Sequence, residues 1–172
     1  MHIEDLELCR YRAPFHADCW RAPLVAVGWL ENPNSFSRGF ATGGLYERIE
    51  KFVESAEPHF EHYHSRGLHA CSLCDKRSSE TRLIPYSFFS LLVPGTDRVY
   101  VAPAAILHYV RNHYYVPPAE FLEAVDHCPR YGSKEYLAAL ARANQDEPPP
   151  IETYEEYMRR FKEAIAARER QP

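Results

Sequence analysis

A chain of 172 residues, 45% hydrophobic and 26% charged, has the size and balance of one folded domain with a short appendage, which excludes a wholly disordered or collagen-like protein. No apolar run reaches the roughly 20 residues of a membrane span, so no membrane partner is expected. The net charge is −4 with arginines and glutamates interspersed, which disfavours nucleic acid as a partner.

The opening Met1-His2-Ile3-Glu4-Asp5-Leu6-Glu7 carries acid where a secretory leader carries Lys or Arg, and no apolar core follows. A cytoplasmic protein is therefore expected. In a reducing compartment its five cysteines are core residues, catalytic thiols or metal ligands rather than disulfides. Residues 9–23 mix Cys, Pro and aromatics and read as irregular. Leu24 to Leu30 is a short apolar run, a buried strand, and Asn32-Pro33-Asn34-Ser35 signals a turn. Over residues 44–56, Leu45, Ile49, Phe52 and Val53 recur at i, i+4, i+7 and i+8, the stripe of a helix that Glu57-Pro58 ends.

Residues 82–93 and 98–102 are rich in strand formers and flank Pro94-Gly95-Thr96-Asp97, which predicts a hairpin. Pro103 suits the first position of a helix carrying Ile106, Leu107 and Val110. Pro117-Pro118 opens another, with Phe121, Leu122 and Val125 inward and Pro129 beyond its end. Ser133 caps a third helix over 134–143. Pro148-Pro149-Pro150 is a stiff spacer, and Thr153 with Glu156 forms a capping box for a last helix. The chain thus divides into a domain at 1–143, a Pro-rich linker at 144–150 and a helical arm at 151–172. The arm's stripe of Ile151, Tyr154, Met158, Phe161 and Ile165 docks on its own domain, on a partner helix, or on a second copy as a homodimer seam. The fold class is α+β: a small sheet or hairpin with several helices around a CxxC knuckle, plus a C-terminal helix.

Residues 58–75 hold four of the nine histidines and two of the five cysteines. Cys71-x2-Cys74 has metal-knuckle spacing, because two thiolates this close can reach one tetrahedral ion at about 2.3 Å each. His108-x4-His113 supplies a second pair at a permitted spacing, giving a candidate zinc set of Cys71, Cys74, His108 and His113. The 33 residues between the pairs are too many for a small zinc finger, so the knuckle and the His-bearing helix must be brought together by the hairpin. Residues five apart on a regular helix lie about 140° apart around its axis. His113 joins His108 only if the helix ends or loosens near it, and Asn112, the following tyrosines and Pro117-Pro118 favour an end there. His69, His64 and His62 are the substitute ligands, and otherwise form a solvated loop. Cys128, beside His127, is a packing thiol or a third thiolate, and Cys9 and Cys19 are structural. A redox CxxC would follow a strand and open a helix, whereas a Gly- and His-containing loop precedes this one.

The opening Met1 to Leu6, Val27-Gly28-Trp29-Leu30, Gly67-x-His69-x-Cys71-x2-Cys74, Tyr100-x-Ala102-Pro103 and His108-Tyr109-Val110-x2-His113-x-Tyr115-x-Pro117-Pro118-x2-Phe121 occur together. The combination resembles a family of small uncharacterised bacterial proteins over about residues 1–143. Residues 78–92 depart from the more polar strand that the resemblance implies. It implies a bacterial origin and a shared site, and no reaction.

Three functions compete. The first is a zinc-stabilised interaction or accessory module with a protein partner, in which four protein ligands leave no water to activate. The second is a hydrolytic metalloenzyme with three ligands and an open position, drawing a base from Glu61, Asp75 or Glu120. No His-x-Glu…Pro-Cys-x2-Cys or His-Glu-x2-His pattern supports it. The third is nucleic-acid binding by the knuckle through Arg66, Lys76, Arg77 and Arg82 with Tyr63 or His69 stacking, which the acidic balance disfavours.

Overall fold

The computed structural model describes residues 2–9, 20–40, 44–56, 70–74 and 90–146. The Glu57-Pro58 stop, most of the His-rich segment, residues 82–89 of the predicted hairpin, the proline spacer and the predicted helical arm lie outside these residues.

Strands β1 (Leu24–Ala26), β2 (Ser90–Pro94) and β3 (Val99–Pro103) form a sheet in the order β1-β3-β2. β2 and β3 are the predicted hairpin, antiparallel with Leu92 opposite Val101. β1 runs parallel to β3 with Val25 opposite Tyr100. The central strand is buried throughout its length. That is why Val99-Tyr100-Val101-Ala102 reads as a continuous apolar run rather than as alternation.

Two sequence expectations are corrected here. The apolar run from Leu24 to Leu30 is a strand only as far as Ala26. Val27 still donates its N–H to the Val101 carbonyl at 3.1 Å, but Gly28 then turns the chain at φ +73°. A Cβ there would lie 3.2 Å from the Ile106 side chain, so the turn uses both the left-handed freedom and the missing side chain of glycine. Pro103 closes β3 opposite Ser90 instead of opening a helix. Residues 2–9 were not legible as a strand, yet they line the free edge of β1. Leu6 N–H bonds the Ala26 carbonyl at 2.8 Å, Ala26 N–H the Glu7 carbonyl at 2.8 Å, and Cys9 N–H the Leu24 carbonyl at 2.7 Å.

Among the described residues four helices complete an α+β fold: α1 (Leu45–Ala56), α2 (Ile106–His113), α3 (Ala119–His127) and α4 (Lys134–Ala143). α1 packs on α2 and α3, while α3 and α4 pack on β2. The α1 stripe of Leu45, Ile49, Phe52 and Val53 is buried as its spacing predicts. Ile106 and Val110 of α2 and Phe121 and Val125 of α3 are buried too, while Leu107 and Leu122 pack at the margin of the core. Ser133 caps α4, its hydroxyl accepting the Tyr136 N–H at 3.1 Å. The Tyr136 hydroxyl donates to the Leu92 carbonyl at 2.8 Å and pins α4 to β2. Asn144, the first residue of the predicted linker, is buried and accepts the N–H groups of Arg21 at 2.8 Å and Ala22 at 3.0 Å. The packed unit therefore continues past Ala143. No described helix is long and apolar enough to cross a membrane.

Candidate metal centre

The last turn of α2 solves the helix-phase problem that the sequence poses. An i→i−4 ladder would send the Tyr114 N–H to Val110. Instead the N–H groups of Tyr114 and Tyr115 both go to the Tyr109 carbonyl, the latter at 3.2 Å. These bonds close α2 directly after His113, whose ring centroid lies 5.0 Å from that of His108. Tyr114 then leaves the helix in the left-handed region, at φ 58° and ψ 29°. Non-glycine residues adopt that conformation only when their surroundings hold them there. Two backbone bonds do so: Gly39 N–H to the Tyr114 carbonyl at 2.9 Å, and Val116 N–H to the Ser37 carbonyl at 3.1 Å.

The knuckle approaches from the opposite side. Cys71 is buried, and the Ser72 hydroxyl accepts the Asn32 N–H at 3.1 Å, which ties the knuckle to the chain after β1. Four donor atoms then converge. Cys71 Sγ lies 3.3 Å from His113 Nε2, and Cys74 Sγ lies 3.3 Å from His108 Nε2 and 3.4 Å from His113 Nε2. The two Nε2 atoms are 3.2 Å apart, and all four donors lie within 4.8 Å of one another. A tetrahedral ion with metal–sulfur bonds of about 2.3 Å and metal–nitrogen bonds of about 2.0 Å would set S···N edges near 3.5 Å and an N···N edge near 3.3 Å. The observed edges fit that figure within a few tenths of an ångström. This Cys2His2 cluster could hold a metal ion, and it is the only such group among the described residues.

The electrostatics suit a cation. Burial, then the neighbouring His113, pushes His108 down to about 4. Burial, then the Arg38 charge, lowers His113. Both imidazoles are thus neutral at pH 7, with lone pairs to offer. Burial pushes the Cys71 thiol up to about 11, so it keeps its proton until a cation displaces it.

The other candidates stand elsewhere. Cys128 lies apart from the cluster, its thiol pushed up to about 12 by burial. With His127 it lines a groove between α3, α4 and the β2–β3 turn. Glu120 lines the same groove, accepting the Tyr100 hydroxyl at 3.1 Å, with Arg98 at 3.6 Å. It is therefore not placed to serve the cluster. Cys9 is a core residue. Cys19, Glu61, His62, Tyr63, His64, Arg66, His69, Asp75, Lys76, Arg77 and Arg82 lie outside the described residues.

Sequence reasoning missed the supports of the site. The Tyr115 hydroxyl donates to the Asp5 carboxylate, 2.8 Å from each oxygen, and the same carboxylate accepts the Gly28 N–H at 2.8 Å. Burial, then the Asp5 charge, raises the Tyr115 hydroxyl pKa. The sequence separation of 110 between these partners leaves no local signal to read.

Residues 1–126 match the family model described as a domain of unknown function, DUF7919, and the chain belongs to that family. The match spans the knuckle, both histidines and most of α3, and it stops short of the residue 143 to which the resemblance extended. No curated protein and no solved structure matches the chain.

Proposed function

We propose that this member of the DUF7919 family is a small cytoplasmic bacterial protein, built around a closed structural zinc site, that serves as an interaction or accessory module for a protein partner. The single observation that carries this reading is the convergence of Cys71, Cys74, His108 and His113 at tetrahedral edge lengths. Zinc suits a mixed sulfur and nitrogen set because it accepts both donors, prefers four ligands and has no redox chemistry of its own. Four protein donors fill its coordination. The ion would then contribute folding free energy and order rather than activate water.

This chain's own residues define what such an ion joins. Cys71 and Cys74 bring the knuckle, which Ser72 links to the segment after β1. His108 and His113 bring the end of α2, which Gly39 and Ser37 link to the segment before α1. One ion would thus fix three stretches that are far apart in sequence: the knuckle, the connection between β1 and α1, and the end of α2. A rigid surface assembled in this way suits partner recognition, since little ordering cost remains to be met on binding.

Two measurements test the reading. Elemental analysis of untagged protein should find one zinc per chain, weakened or lost in His108→Ala. Cobalt substitution should give a tetrahedral spectrum that added azide leaves unchanged. No metal in the wild type sinks the zinc centre. A spectrum that azide alters reveals an open position and favours the hydrolytic metalloenzyme instead.

A further inference from the structure

We infer that Asp5 and Tyr115 are positioning residues for the metal centre: their hydrogen bond pre-organises His113, and through it the N-terminal segment sets the protein's affinity for zinc. The inference rests on the metal reading above and adds to it a control point that contains no ligand.

His113 is the most demanding of the four donors to place. It is the last residue of α2 and is followed by Tyr114 in the left-handed region, where the ladder ends. That backbone is strained for a tyrosine and tends to relax unless it is held on both sides. On the near side the holder is α2. On the far side the backbone bonds from Gly39 to the Tyr114 carbonyl and from Val116 to the Ser37 carbonyl hold the chain, and between them stands Tyr115, whose ring is buried against Gly28 and Phe36, with ring centroids 6.2 Å apart in the latter pair. Packing alone gives the ring no directional bond. The hydroxyl bond to Asp5 supplies one, because its single proton is shared between the two oxygens of a carboxylate at 2.8 Å each, a charge-assisted contact that anchors the ring tip. Asp5 is itself held by the Gly28 N–H and by the pairing of residues 3–9 with 24–29. A continuous path therefore runs from the edge of the sheet, through one carboxylate and one phenol, to the residue two positions beyond a metal donor.

Without the bond, the metal-free protein samples states in which the end of α2 relaxes and His113 leaves the cluster. The ion must then select a minority conformer, and the apparent affinity falls by the fraction that remains competent. Loss of an outer support of a metal ligand weakens binding by about 10–100-fold in well-studied sites. The lower end is expected here, because three donors are untouched.

The test is zinc titration of metal-free, full-length protein against a chromophoric chelator, with thermal unfolding of the same samples in excess chelator. The variants are Tyr115→Phe, Asp5→Asn and Tyr136→Phe. Tyr136→Phe is the control for generic destabilisation, since it also removes a buried tyrosine hydroxyl bond, the one to Leu92 at 2.8 Å on the far side of the sheet. Tyr115→Phe should weaken zinc about tenfold, and Asp5→Asn, which keeps an acceptor, about threefold. Tyr136→Phe should lower the metal-free melting temperature and leave zinc affinity within twofold of wild type. Should Tyr115→Phe fail to fold, Asp5→Asn against Tyr136→Phe decides the matter alone. Wild-type affinity in both Tyr115→Phe and Asp5→Asn overturns the inference, as does equal weakening by Tyr136→Phe. Failure of the wild type to bind zinc overturns the metal reading itself, and the two failures are therefore distinct.

Discussion

Replacing His113 by alanine removes the donor that the other three all approach, at 3.2 Å from His108, 3.3 Å from Cys71 and 3.4 Å from Cys74. Structural zinc sites of four ligands have apparent binding free energies of about 10–16 kcal/mol at neutral pH. Shared equally, one donor contributes about 2.5–4 kcal/mol, or roughly 10²–10³ in affinity. His113 is half-buried rather than sealed, so water can occupy the vacated corner, and the expected loss lies toward 10². Competition with a chromophoric chelator at pH 7 reads it directly. His127→Ala is the reference, because that ring bonds the Glu123 carbonyl at 2.8 Å and lies outside the cluster. A loss below tenfold for His113→Ala would refute the four-donor geometry and hand the corner to a residue of the His-rich segment.

Zinc binding should be pH-dependent with a known sign. The buried Cys71 thiol, near 11 when metal-free, must give up its proton to bind, while His108, near 4, and the lowered His113 compete with protons only in acid. At least one proton per zinc should therefore be released between pH 6 and 8, and affinity should rise at least tenfold per pH unit; a flat profile would contradict ligation by the Cys71 thiolate. Gly28→Ala should cost about 2–4 kcal/mol, combining a left-handed alanine with crowding at 3.2 Å from Ile106, and should lower the melting temperature by about 4–16 °C. Unchanged thermal unfolding would mean that Gly28 is not in the conformation described. Ser133→Ala should cost about 1 kcal/mol through the lost Tyr136 N–H acceptor, without altering zinc affinity. A change in affinity would reveal coupling across the sheet that no contact here explains.

Much of the local structure was legible because it follows from neighbours in sequence. The α1 stripe, the Ser133 cap and the hairpin around Pro94-Gly95 each rest on periodicity, one side chain or one turn. The pairing of Cys71-x2-Cys74 with His108-x4-His113 was legible for a similar reason, since donor type and spacing restrict which residues can share an ion. The errors fall where local preference yields to packing. Pro103 has the φ of a first helical residue but lies where β3 still has a partner, and the run after Ala26 is apolar enough for a strand but turns at Gly28 to admit Ile106.

What the sequence by itself determined about this protein is its chemistry: two thiols and two imidazoles with metal-ligand spacing, an α+β element order, and membership of a family whose model covers residues 1–126. Only the tertiary structure decided the geometry. The five-residue spacing of His108 and His113 opposes convergence on a regular helix, yet their Nε2 atoms lie 3.2 Å apart at a helix end that closes on Tyr109 and a left-handed Tyr114. That end is held by Gly39, Ser37 and Asp5, residues up to 110 positions away. Such contacts exist only once the sheet has brought the N-terminal segment, the β1 edge and α2 together, and no local periodicity encodes them.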